Sequence, residues 1–168
     1  MSREQSDACQ AALSESVFLT GPAGSGKSAC VRVLVRALHE RVPGSKVCMV
    51  AFTGTVVAAF ERGGSLCAAT TVHSMFNVPV DRNVKRGKLT FMPYRKTANA
   101  SDMETLRKRL LSVSTLIIDE VSMMSAYLLH WMNDALRWAR VSTDPFGGAS
   151  VVLERHASVR PHVHLCHS

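Results

Sequence analysis

The sequence has few aromatic residues, 6% of 168 positions, and no long hydrophobic run. A membrane-spanning helix needs roughly 18 or more consecutive apolar residues, so none is expected. The opening Met1 to Asp7 is polar and lacks the apolar core of a signal peptide, which points to a soluble, intracellular protein. Cysteine is sparse too. Cys9, Cys30, Cys48, Cys67 and Cys166 are widely spaced and never form C-x-x-C. That spacing excludes a zinc knuckle and a disulfide framework and predicts buried, reduced thiols. Acidic residues are in deficit, 13 against 20 Lys plus Arg, for a formal net charge of +7. A basic chain favours anionic partners, nucleic acid first among them. Hydrophobic content of 46% with 20% charged residues matches a globular chain and excludes a fibre or a wholly disordered one. The length suits one compact domain and leaves no room for a second lobe.

What is present alternates between strand and helix patterns. A capping box at Ser2 and Gln5 opens a short helix to about Leu13. Val17 to Thr20 is a short apolar run ending in a Gly-rich turn, the pattern of a buried parallel strand. Cys30, Val31, Leu34, Val35 and Leu38 then recur at helical spacing. Val47 to Phe52 predicts a second strand, Gly54 to Arg62 a helix closed by Gly63 and Gly64, and residues 77–100 a basic insertion with at most short strands. Asp102 to Leu111 reads as a helix and Leu116 to Asp119 as a third strand. A helix from Met124 to Arg140 and a fourth strand from Val151 follow. The alternation predicts an α/β fold with an open, mostly parallel sheet flanked by helices.

Two motifs carry chemistry. Gly21, Pro22, Ala23, Gly24, Ser25, Gly26, Lys27 and Ser28 fit G-x-x-x-x-G-K-[ST], placed after a strand and before a helix. The glycines let backbone N–H groups turn inward around phosphate oxygens, and the helix N-terminus adds positive potential. Lys27 is then the residue for the β and γ phosphates, and the Ser28 hydroxyl a ligand of Mg²⁺. Asp119 and Glu120 close the third predicted strand, where a carboxylate pair serves a P-loop nucleotide site: Asp119 for the Mg²⁺ shell, Glu120 to orient or deprotonate water. Together they indicate ATP binding and hydrolysis, although a nucleotide kinase shares the first motif.

In this order the segments resemble the 5′→3′ DNA helicases of the petite-integration-frequency (PIF) type, related to RecD, in helicase superfamily one. Arg3, Glu4 and Gln5 look like its adenine-reading Q motif, alongside the capping role of Gln5. The loop Gly21 to Ser28, Ala51 to Gly54 with Ala58 and Ala59, and Thr70 to Phe76 are similar to its successive elements. So are Leu116 to Met123 and Pro145 to Leu153. The resemblance implies the P-loop NTPase fold of a RecA-like domain over residues 1–153. It also implies an ATP-dependent helicase activity with Mg²⁺ and a single-stranded DNA partner met by Thr53, Gly54, Thr71 and His73. Roles in DNA repair, recombination and telomere maintenance, in the nucleus or the mitochondrion, follow from the same likeness.

Charge is concentrated between Asp81 and Arg109, where nine basic residues face three acids, six of the seven net charges. Its place beside the expected DNA path makes it a candidate for phosphate contact and salt-sensitive binding. Phe91 and Tyr94 are its only aromatics, so charge contact is better supported than base stacking. After Leu153 the family pattern, a G-D-x-x-Q-L-P-P element, gives way to Glu154 to Pro161 without the Gly-Asp, the Gln or the double Pro. Residues 154–168 are therefore expected to be a disordered tail outside the family pattern, and the chain a truncated product, as from a frame error, that does not unwind duplexes alone and hydrolyses ATP slowly. The His162, His164, Cys166 and His167 cluster has no second spaced pair, and no zinc site is expected. Two other readings stay open: an idle ATP- and DNA-binding fragment, or a small P-loop phosphotransferase whose residues 77–100 cover an acceptor.

Overall fold

The computed structural model describes residues 3–22, 24–44, 46–62, 67–78, 99–156 and 163–165. Five strands run parallel: β1 (Val17–Gly21), β2 (Val47–Ala51), β3 (Ala68–Thr71), β4 (Thr115–Ile118) and β5 (Ser150–His156). A sixth, β6 (Val163–Leu165), lies antiparallel beside β1, and the order across the sheet is β3-β2-β4-β5-β1-β6. The helices are α1 (Arg3–Ala12), α2 (Lys27–Arg41), α3 (Gly54–Arg62), α4 (Val72–Met75), α5 (Ala100–Leu111) and α6 (Ala126–Arg140).

Strand alternation sorts the apolar residues into two cores, one on each face. Leu116, Ile118, Val50 and Val151 join α4, α5 and α6 around Trp131, Phe76 and Leu136. Ile117, Met49, Val152, Val17 and Leu19 pack instead against Ala8, Cys9 and Ala12 of α1 and Val31, Leu34 and Val35 of α2. A sheet covered on both faces requires apolar residues at consecutive strand positions, which is why β2 and β4 are buried along their whole length. The Trp131 indole nitrogen donates to the Phe76 carbonyl at 3.2 Å, so the largest side chain of the core also leaves no orphaned donor. Cys9, Cys30 and Cys48 are buried free thiols and Cys67 a half-buried one. The Cys9 and Cys30 sulfurs meet at 2.8 Å between α1 and α2. The contact with Cys9 and burial both push the Cys30 thiol up.

Helix ends follow local chemistry. Ser125 caps α6 by accepting from the Leu128 N–H at 3.2 Å, and Asn99 caps α5 by accepting from Asp102 at 2.7 Å. Thr71 does the same for α4, accepting from the Ser74 N–H at 3.3 Å.

Several expectations are corrected. β3 was not predicted: Ala68 to Thr71 is small and polar, so its pairing with β2, not an apolar run, makes it a strand. Nor does the family-like chain give way to disorder at Glu154. β5 continues through Glu154 and Arg155 to His156, because β1 offers ladder partners as far as Gly21, and Val163–Leu165 then pairs with the other side of β1. Residues 157–162 and 166–168, with most of the histidine cluster, lie outside the described residues. So do Gly63 and Gly64 and most of the basic insertion, residues 79–98.

The connection from α6 to β5 turns through Phe146 and Gly147 at φ 49° and 63°. A Cβ on Gly147 would stand 2.7 Å from the Leu136 carbonyl oxygen, which belongs to the helix backbone and cannot yield. Arg140 ties the turn down by donating to the Gly147 carbonyl at 3.3 Å and also to the Val113 carbonyl. Gly147→Ala is therefore expected to cost at least ~2 kcal/mol, from positive-φ strain plus the clash. A fall in the urea midpoint with an unchanged slope checks it.

Candidate phosphate and nucleic-acid site

All five parallel strands deliver their C-terminal ends to one edge of the sheet, and Gly21, Lys27, Ser28 and Asp119 lie at that edge. The loop from Gly21 crosses from β1 to α2 with Gly24 and Gly26 at φ 76° and 85°, conformations open to glycine at little cost. Ser25 N–H donates to the Pro22 carbonyl at 3.2 Å, closing the curl. α2 carries no acidic residue in its first turn, so nothing within that turn cancels its dipole. Lys27 is 8% exposed, and its Nζ donates to the Gly21 and Pro22 carbonyls at 2.8 and 3.0 Å. A buried ammonium held by two carbonyls, with Ser28 exposed beside it, has the chemistry to meet an anion. Ala23 lies outside the described residues. Gln5 is on α1, which packs against α2, and the position of its side chain lies outside the described residues too.

Asp119 follows β4 and is anchored by its own N–H donating to the Val50 carbonyl at 2.9 Å. Glu120 sits at φ 49°, ψ 56°, a left-handed position that costs a non-glycine residue energy and that here caps a turn of 3₁₀ helix, Val121–Met123. The Ser122 hydroxyl donates to the Glu120 carboxylate. That contact, invisible in the spacing of the motif, holds the carboxylate at the sheet edge. A cavity of about 190 Å³ is lined by Ser28, Arg32, Phe60, Asp119 and Glu154, so the first and second motifs open onto one space. Ser28 and Asp119 present hard oxygen ligands to it, the donor set that Mg²⁺ takes. Among the described residues no group of three His, Cys, Asp or Glu could hold a metal ion by itself.

The four residues expected along a nucleic-acid path follow the ends of two paired strands. Ala51 of β2 is paired with Thr71 of β3, which brings Thr53 and Gly54 at the start of α3 beside Thr71 and His73. The His73 ring stands edge-on to Phe52, centroids 5.9 Å apart, and Phe52 is 39% exposed. The oxygen of Thr71 already serves as the α4 cap. Of the basic stretch, Arg107 donates to the Ala139 carbonyl at 3.2 Å, and Arg109 to the Ser74 and Met75 carbonyls at 2.8 and 3.3 Å. Lys108 makes an exposed pair with Glu104 at 3.8 Å. Arg107 and Arg109 thus clamp the fold. A larger cavity, about 900 Å³, opens at the opposite end of β2 and β3 among Lys46, Cys67 and Arg109, away from the phosphate loop.

A family model described as PIF1-like helicase matches residues 2–156. The chain belongs to the PIF1-like helicase family. It is 36% identical over 140 residues to the ATP-dependent DNA helicase Pif1 of Psychrobacter sp. (strain PRwf-1), covering 83% of this chain and 18% of that one. It is 31% identical over 137 residues to the ATP-dependent DNA helicase RRM3 of Saccharomyces cerevisiae, covering 82% and 17%. The Pif1 helicase of Candida albicans superposes with a TM-score of 0.71 at 29% identity, over 92% of this chain and 32% of that one. The Bacteroides Pif1 helicase in complex with ADP-AlF3 and ssDNA does so with 0.67 and 29%, over the same shares. The chain therefore spans under a fifth of these curated PIF1-like relatives and about a third of the solved ones. No helix among the described residues is long and apolar enough to cross a membrane.

Sequence reasoning missed Glu154 as a residue of the site. It is 3% exposed. Burial, reinforced by Asp119 and Glu120 and partly offset by Lys27, pushes its carboxyl from an ordinary 4.5 up to about 7. Between those values the folded chain holds a proton that the unfolded chain has released, so this group's contribution to stability falls as pH rises from about 4.5 to about 7. The swing is of order 3 kcal/mol at most. Glu154→Gln is expected to remove that part of the pH dependence, seen as a stability difference between the two proteins that grows from pH 5 to pH 8 in urea denaturation.

Proposed function

We propose that the chain binds Mg·ATP at Gly21 to Ser28 and hydrolyses it as part of a PIF1-type 5′→3′ DNA helicase, with single-stranded DNA as its polymer partner. One observation carries the reading: Ser28, which ends the phosphate-loop motif, and Asp119, after strands β1 and β4 that are not neighbours, open onto a single cavity. Lys27 holds the β and γ phosphates as a buried cation, and the α2 N-terminus receives the remaining phosphate oxygens. Gln5 reads adenine from α1. Ser28 and Asp119 would hold the Mg²⁺, which would neutralise phosphate charge when bound. Glu120, kept in place by Ser122, orients the attacking water and accepts its proton.

DNA runs over Thr53, Gly54, Thr71 and His73, on the same sheet edge as the phosphate loop, so a change at the phosphates has a short path to the polymer. The exposed Phe52 edge beside His73 gives a base an aromatic partner. The named relatives are ATP-dependent DNA helicases, and a Bacteroides neighbour was solved with ADP-AlF3 and ssDNA. Both support the reading, as does the likeness that ties the family to DNA repair, recombination and telomere maintenance.

ATP turnover measured with and without an oligo-dT strand tests it. Turnover is expected to rise with the strand, and Lys27→Ala is expected to weaken ATP binding by about 10- to 100-fold through loss of charge-assisted bonds. Glu120→Gln should keep binding and lose turnover by about 100-fold or more. Turnover indifferent to DNA but raised by a small hydroxyl or phosphate acceptor would replace the helicase reading with a phosphotransferase. No turnover, with DNA affinity unchanged by ATP or by Lys27→Ala, would identify an idle binder.

A further inference from the structure

Glu154 stands where neither motif has a place for it. Its position follows from strand register. Ile118 of β4 pairs with Leu153, and Leu19 of β1 with Glu154, so Glu154 reaches the sheet edge level with Asp119 and two residues short of the phosphate loop. Alternation sets its direction: Val152 packs toward α2, hence Glu154 points the same way, toward the helix that begins with Lys27 and Ser28. It lines the cavity shared by Ser28 and Asp119 and is buried. Asp119 and Glu120 raise the energy of its charged form and Lys27 lowers it, so all three act on it electrostatically. Glu154 thus adds a third carboxylate to Asp119 and Glu120 at this edge of the sheet.

We propose that Glu154 is an affinity-setting residue of the phosphate site, whose negative charge beside Lys27, Ser28 and Asp119 weakens binding of nucleoside triphosphates and narrows their advantage over nucleotides with fewer phosphates. The inference rests on the P-loop reading above and adds to it. A carboxylate in a cavity of this size acts at low effective dielectric, where a unit charge a few ångströms from a phosphate oxygen costs binding energy that solvent does not screen away. It also competes with the phosphates for the Lys27 ammonium. The effect grows with phosphate charge and distance along the chain toward the cavity, so it is largest for ATP, smaller for ADP and absent for AMP.

The test is titration of the full chain at pH 8 with Mg²⁺ and fluorescent analogues of ATP, ADP and AMP, comparing the unsubstituted protein with Glu154→Gln, Glu154→Gly and Lys27→Ala. Glu154→Gln keeps the size and removes the charge. It is expected to bind the ATP analogue about tenfold more tightly, the ADP analogue by less and the AMP analogue unchanged, with Glu154→Gly following the same order. An ATP affinity within twofold of the unsubstituted protein would overturn the proposal. So would an equal gain for all three nucleotides, which marks a change of structure, or a gain confined to Glu154→Gly, which marks size. Lys27→Ala separates the two levels. Its loss of the ATP analogue supports the phosphate site whatever Glu154 does, whereas full retention of ATP by Lys27→Ala would overturn the P-loop reading and the inference with it.

Discussion

Parallel pairing of β1, β4 and β5 is the constraint on which the rest depends. A parallel strand cannot turn straight back, so β1 to β4 are each followed by a crossover that returns the chain to the starting edge, and all five C-terminal ends collect at the other edge. The phosphate loop, Thr53, Thr71, Asp119 and Glu154 come from separate stretches of sequence and reach one surface for that reason. Because β5 lies between β1 and β4, the space between the phosphate loop and Asp119 is one strand wide. Glu154 of β5 faces that space.

The electrostatics of the edge are then a balance between few groups. The α2 N-terminus, Lys27 and Arg32 supply positive potential, and Asp119, Glu120 and Glu154 oppose it. Burial decides the strength of each. Lys27 donates to two loop carbonyls, whereas Glu154, more deeply buried, has its charged form disfavoured by desolvation before any neighbour is counted. The Glu120 backbone pays in strain for its place, since a non-glycine residue at φ 49° persists only where its surroundings hold it, here through the 3₁₀ turn and Ser122.

Charge elsewhere has a more structural purpose than its total conveys. Arg107 and Arg109, in a segment that reads as a phosphate-binding stretch, donate to carbonyls of α6 and α4, and Arg140 fastens the turn ahead of β5. Guanidinium groups with several donors suit such ends, where helix carbonyls have no partner of their own. The +7 of the chain is therefore partly internal scaffolding.

Much of the architecture was legible from residue order. Consecutive apolar positions in β1, β2, β4 and the start of β5, the glycines and Lys27–Ser28 of the loop, and the amphipathic period of α6 are local signals, each produced by one segment's own burial or backbone needs. β3 and β6 were not legible, because an edge strand of small or polar residues is a strand only by virtue of its partner. Nor was Glu154, which in sequence is one polar residue after an apolar run. The sequence by itself determined the phosphate loop, the carboxylate pair and the alternation that demands a parallel sheet, since these depend on residue type and short spacing. Only the tertiary structure decided which strand separates β1 from β4 and which way Glu154 points. Strand order and register arise from contacts between distant segments, and these set both the burial of that carboxylate and the company it keeps.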